Sequence, residues 1–121
     1  MAFRTLEQLW ERWFRRETLA ARLGPIRFLG SMTELPDNLG TELFVVGARS
    51  SPKWLVLMCP CGCGERLDAN LSRSRYPYWS ITIRRGRLSA YPSLAVESDD
   101  CGCHFWLRDS NVYMAKYSGE L

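Results

Sequence analysis

Six side chains of the kind that bind metal ions sit in two short segments of this chain. The first reads Cys59-Pro60-Cys61-Gly62-Cys63-Gly64-Glu65, and the second reads Asp100-Cys101-Gly102-Cys103-His104-Phe105-Trp106. Together they hold all five cysteines and the only histidine. A tetrahedral zinc site takes four nitrogen or sulfur ligands, commonly from two turns. A fold that satisfies such a site must bring the two segments together, and six candidates for four places leave up to two reactive groups beside the ion. Cys59, Cys61 and Cys63 cannot all face one way on regular strands, but Pro60, Gly62 and Gly64 allow the tight turn that would converge them. The fourth ligand then comes from residues 101–104. Cys101 is the first choice, with Cys103 and His104 as competitors.

The spacing is tighter than the Cys-x2-Cys of zinc knuckles and than most iron–sulfur motifs, so zinc is the expected ion. A closed four-cysteine site is structural, and four thiolates make the ion a poor Lewis acid. Three cysteines and a water, with Glu65 as base, would instead resemble hydrolytic zinc chemistry. The structural site is the favoured reading.

Length and charge set further bounds. A chain of 121 residues reads as one domain, 1–121, with a modest core that a metal staple would strengthen. The start, Met1-Ala2-Phe3-Arg4, carries no secretory pattern, and no apolar run approaches the ~20 residues of a membrane span. The expectation is a cytoplasmic protein without a membrane partner, in which clustered cysteines bind metal or catalyse rather than form disulfides. The formal charge of +3 falls to roughly +1 once four thiolates and a zinc ion are counted, too little to argue for nucleic acid.

Periodicity suggests an α+β fold: an N-terminal helix, then a small, mainly antiparallel β domain with a zinc-binding turn. The helix is predicted over 5–23. Thr5 and Gln8 form a capping box, and Leu6, Leu9, Trp10, Trp13 and Phe14 make an apolar stripe that packs on the domain or docks a partner. Gly24-Pro25 ends it. Strands are expected at 26–28, 43–46 and 54–58, the last leading into Cys59. Trp79, Ile81 and Ile83 alternate with Ser80 and Thr82, giving a strand with one buried face. Arg84-Arg85-Gly86-Arg87 then turns into a strand at 88–91. A last hairpin joins 105–107 to 112–114 around Asp109-Ser110-Asn111. The zinc-containing β core is set at 43–115.

If cysteines fill the metal shell, His104 is free, and any imidazole base must be this residue. Ser93, in Tyr91-Pro92-Ser93-Leu94, is the nearest nucleophile, and residues 95–100 are few enough to fold it back toward His104. Asp99, Asp100, Asp109 and Glu65 are candidates for orienting the imidazole. The bland alternatives are a turn serine and a structural histidine. Cys103 is a rival nucleophile, though on an extended strand it would face away from His104. Arg73, Arg75, Arg84, Arg85 and Arg87, near Tyr76, Tyr78 and Trp79, read first as a solvated hairpin edge and second as a nucleic-acid face.

Cys59-Pro60-Cys61-Gly62-Cys63-Gly64-Glu65, Leu88-Ser89-Ala90-Tyr91-Pro92-Ser93 and Cys101-Gly102-Cys103-His104-Phe105-Trp106, in this order, resemble a family of small bacterial proteins. That family is associated with ubiquitination-like (Bub-type) operons linked to phage defence. The likeness covers roughly residues 43–115 and leaves out the N-terminal helix. It implies a serine-type peptidase that processes or removes a bacterial ubiquitin-like modifier, with the modifier and its activating and conjugating enzymes as partners. Mapped here, it implies Ser93 as nucleophile, His104 as base, and Cys59, Cys61, Cys63 and Cys101 as zinc ligands. Position 103, often Ser in the family, is Cys here, which argues against Cys103 as a required ligand and leaves it open as a nucleophile. The alternative is a non-enzymatic zinc module that binds a ubiquitin-like protein, an operon partner or nucleic acid.

Overall fold

Short runs of alternating apolar residues, punctuated by Gly, Pro, Asn and Asp, favour sheets joined by tight turns. The computed structural model describes residues 17–96 and 101–115. Among these, the regular elements are strands and one 3-10 turn, Met32–Glu34. The strands are β1 (Glu17–Arg22), β2 (Ile26–Leu29), β3 (Leu43–Ala48), β4 (Ser51–Met58), β5 (Arg66–Asn70), β6 (Ser80–Arg84), β7 (Arg87–Ala95), β8 (His104–Arg108) and β9 (Asn111–Ala115). They form a five-stranded sheet in the order β1-β9-β8-β7-β6 and a four-stranded sheet in the order β2-β3-β4-β5. β2 and β3 pair in parallel and every other pair is antiparallel.

The expected α+β class is therefore wrong: the described chain is β. The predicted helix fails where it can be checked, because Glu17–Arg22 is an edge strand paired with β9, from Glu17↔Ala115 to Arg22↔Asn111. Residues 5–16, which carry the apolar stripe, lie outside the described residues. Helix propensity distinguishes ordinary residues by only ~0.7 kcal/mol, less than a ladder of hydrogen bonds along β9 can supply. The other predicted strands are present, mostly longer than expected. β5 was not anticipated, since Arg66-Leu67-Asp68-Ala69-Asn70 lacks β-branched and aromatic residues. Its alternation is nonetheless regular: Ala69 is buried, and Arg66 and Asp68 pair on the outer face at 2.8 Å.

The two sheets pack face to face. Their shared core takes Leu43 and Val45 from β3, Leu55 and Leu57 from β4, Leu88 and Leu94 from β7, Phe105 and Leu107 from β8, and Val112 from β9. Phe44, Val46 and Val56 face the other way and are covered by the segment between β2 and β3, including Leu35 and Leu39. That double burial explains why β3 reads as a continuous apolar run rather than an alternation. β6 is only partly covered: Ile81 is half-buried, but Ile83 is 38% exposed, so the expected buried face holds for one end of the strand.

One end of the five-stranded sheet is closed by two tight turns. Arg85 and Gly86 have φ of 53° and 76°, and Asp109 and Ser110 have φ of 51° and 64°. Positive φ at both central residues is the hairpin turn whose twist matches that of paired strands. Ser110 ties this end together. Its N–H donates to the Leu88 carbonyl (2.7 Å), its hydroxyl accepts from the Leu88 N–H (3.0 Å), and its carbonyl accepts from the Leu23 N–H (2.8 Å).

Candidate active site and metal centre

β4 runs into Cys59, and the chain reverses at once. The Cys59 N–H donates to the Glu65 carbonyl at 2.8 Å, and the Gly62 N–H donates to the Cys59 carbonyl at 3.3 Å. Gly62 and Gly64, at φ 86° and 88°, adopt the left-handed backbone this turn requires. Across the molecule, the Val96 N–H donates to the Cys103 carbonyl at 2.8 Å, drawing the segment after β7 onto the one before β8 and setting Cys101 beside the turn. Cys59 Sγ lies 3.3 Å from Cys61 Sγ, and Cys101 Sγ lies 3.5 Å from both. With Cys63, the four sulfurs fall within 4.8 Å of one another.

This set fits a metal ion. Tetrahedral zinc with Zn–S bonds of ~2.3 Å separates its sulfurs by about 3.8 Å, close to the distances seen here. Four sulfurs also fill a tetrahedral shell, leaving no place for a catalytic water. Without an ion the thiols share protons unevenly. Burial pushes the Cys59 thiol up, whereas exposed Cys61, stabilised as thiolate by the thiols of Cys59 and then Cys101, is pulled down to about 7.

The two competitors for the fourth place lie outside the cluster. Cys103 is buried on the core face with Phe105 and Leu107, its sulfur 3.8 Å from Met114 Sδ, and burial pushes its thiol up to about 11. His104 alternates to the opposite face. Cys103 itself precedes β8, whose first residue is His104.

Ser93 and His104 meet. β7 and β8 pair at Ala90↔Leu107 and again at Leu94↔Phe105, so β7 advances four residues while β8 advances two. The surplus is a bulge at Tyr91-Pro92-Ser93. Proline has no N–H for the ladder and is confined to such irregularities in a central strand. The bulge re-aims Ser93, whose Oγ lies 2.6 Å from His104 Nε2. Both side chains are half-buried. A hydroxyl bonded to an imidazole nitrogen can pass its proton to the ring and become a nucleophile. The same outer face carries Tyr91 and Trp106, with ring centroids 6.4 Å apart.

A family model described as bacterial ubiquitination-like system serine protease (BubE) matches residues 31–115. The chain belongs to this family. The match takes in the four clustered cysteines, Ser93 and His104, and it begins upstream of the segment expected from the motifs. The family description names a serine protease, and the histidine-bonded serine described above lies inside the matched segment. No curated protein and no solved structure matches the chain. Among the described residues, no helix is long and apolar enough to cross a membrane.

Of the acids considered for orienting His104, Asp99 and Asp100 lie outside the described residues. Asp109 follows the far end of β8, five residues or roughly 16 Å along the strand, and cannot reach the ring. The Glu65 N–H bonds Cys63 Sγ at 3.4 Å, placing that residue at the cysteine turn. Sequence reasoning missed Trp79, whose indole Nε1–H donates to the Ser93 carbonyl at 3.0 Å. The sequence places it at the head of an alternating strand, and the structure sets it one residue before β6.

Proposed function

We propose that the chain is a zinc-stabilised serine peptidase that processes or removes a bacterial ubiquitin-like modifier. The single observation that carries this reading is the 2.6 Å contact between Ser93 Oγ and the chain's only imidazole, in a member of a serine protease family. Ser93 Oγ attacks the carbonyl carbon of a peptide or isopeptide bond while His104 Nε2 takes its proton. His104 then delivers that proton to the leaving amine as the C–N bond breaks, leaving an acyl-enzyme on Ser93. Water, deprotonated by the same imidazole, cleaves the ester and restores the serine.

Cys59, Cys61, Cys63 and Cys101 would hold the ion, and four thiolates would give it a structural role. Because Cys101 precedes His104 by three residues, the cluster would fix the segment that carries the base. The cytoplasm is the setting in which such thiolates stay reduced.

The test is cleavage of a bacterial ubiquitin-like protein bearing a C-terminal extension, by wild type and His104→Ala in parallel, with zinc quantified in both. Cleavage by wild type alone, at equal zinc, is expected. Loss of zinc in the variant would make His104 a ligand and end the Ser/His reading. No cleavage by either, with zinc intact, would make the chain a binding module.

A further inference from the structure

We propose that Trp79 is a positioning residue for the Ser93 hydroxyl, acting through the Ser93 carbonyl; the inference rests on the reading of Ser93 as nucleophile. β6 pairs with β7 from Arg84↔Arg87 to Ser80↔Tyr91 and stops. Continued by two residues, this ladder would set the backbone of residue 78 opposite Ser93. The chain turns away instead, because the Trp79 N–H donates to the Asn70 carbonyl of β5 at 2.8 Å. The Trp79 indole N–H then donates to the Ser93 carbonyl at 3.0 Å. A side chain thus stands in for a ladder bond beside the hydroxyl that contacts His104.

The donor is itself held firmly. The indole packs against the inter-sheet core. The Asn70 amide Nδ2 lies 3.1 Å from the Ser72 carbonyl, 2.8 Å from that of Arg75 and 3.0 Å from that of Pro77. Its Oδ1 accepts from the Ser72 N–H at 3.0 Å. Asn70 therefore straps the β5–β6 connection that delivers Trp79. Pro92, on the other side, contributes no N–H. Fixing the Ser93 carbonyl fixes the peptide plane from which its Cβ projects, and a displacement near 1 Å would open the 2.6 Å contact to His104.

The test compares wild type with two variants. Trp79→Phe keeps an aromatic ring and removes the N–H. Site-specific replacement of Trp79 by 3-benzothienylalanine keeps the bicyclic shape, puts sulfur where the N–H was, and decides the matter if Trp79→Phe fails to fold. Two quantities are read: the rate of covalent labelling of Ser93 by a fluorophosphonate, and kcat and KM for the extended ubiquitin-like substrate. We expect labelling and kcat to fall about tenfold in both variants, with KM unchanged. A merely structural role would move the melting temperature and leave the labelling rate of the folded benzothienyl protein at the wild-type value, which would overturn the proposal. Wild type that is neither labelled at Ser93 nor active would overturn the reading beneath it as well. The two failures are thus told apart by the wild-type sample.

Discussion

The two ends of the five-stranded sheet are built on opposite principles. At one end, Arg85-Gly86 and Asp109-Ser110 close two hairpins with the turn geometry that paired strands prefer, and the backbone bonds of Ser110 satisfy its neighbours. At the other end the ladder is interrupted. β7 bulges at Pro92, β6 stops early, and a cluster of thiols gathers beside a serine and a histidine. Regularity at the first end gives stability and no reactive group. Irregularity at the second gives up ladder bonds to aim side chains, and there the Trp79 indole N–H bonds the Ser93 carbonyl.

The contrast breaks most directly at Ser93. Ser93→Ala should lower kcat by roughly 10⁴-fold or more while leaving melting temperature and zinc content unchanged, as read by cleavage assay, calorimetry and metal analysis. A thiol experiment sharpens it within one region. In reduced, metal-free protein at pH 7, iodoacetamide should alkylate Cys61 on the order of 10³ times faster than Cys103, by mass spectrometry of timed samples. The sign follows from the thiolate being the reactive form. Cys61 is pulled down to about 7, so its rate climbs as pH rises through 7 and levels off above. Cys103 is pushed up to about 11 and stays protonated over that range.

Stability effects come next. Cys101→Ser should release the metal and cost roughly 3–5 kcal/mol, with cleavage lost alongside because His104 lies three residues away. Ser110→Ala, at the regular end, should cost about 1–3 kcal/mol by leaving the buried Leu88 N–H without its hydroxyl acceptor. Its kcat should match wild type. A Ser110→Ala protein with normal stability but impaired kcat would invert the comparison. The smallest effect is at Gly86, where φ of 76° disfavours any side chain and Gly86→Ala should cost about 1 kcal/mol in denaturant melts.

How much of this was legible depends on which signals are local. The strands β3, β4 and β7–β9 follow from apolar runs and from turn residues such as Asp109-Ser110-Asn111. The convergence of Cys59, Cys61, Cys63 and Cys101 follows from ligand chemistry, which demands it whatever the topology. The approach of Ser93 to His104 was suggested by the short connection between them. The bulge that achieves it left only Pro92 as a trace. β1 was misread because Thr18-Leu19-Ala20-Ala21-Arg22 is acceptable in a helix, and a pairing partner at the far end of the chain decides otherwise. Trp79 reads in the sequence as the start of an alternating strand, whereas β6 begins one residue later at Ser80, and nothing local says that its indole reaches a carbonyl fourteen residues ahead.

The family match at 31–115 leaves out both β1 and β2, and each is the outermost strand of its sheet. A protein trimmed to the matched segment would present β9 and β3 as bare edges. On β3 the side chains of Leu43, Phe44, Val45 and Val46 keep the cover of the facing sheet and of residues 31–42, so what β2 leaves bare is the backbone edge. A bare edge of unpaired N–H and C=O groups offers a template for pairing between copies. The trimmed protein would keep every residue of the proposed site and is expected to aggregate more readily than the full chain, as read by its soluble fraction on expression. β1 and β2 thus shield backbone edges rather than supply a residue of the proposed site.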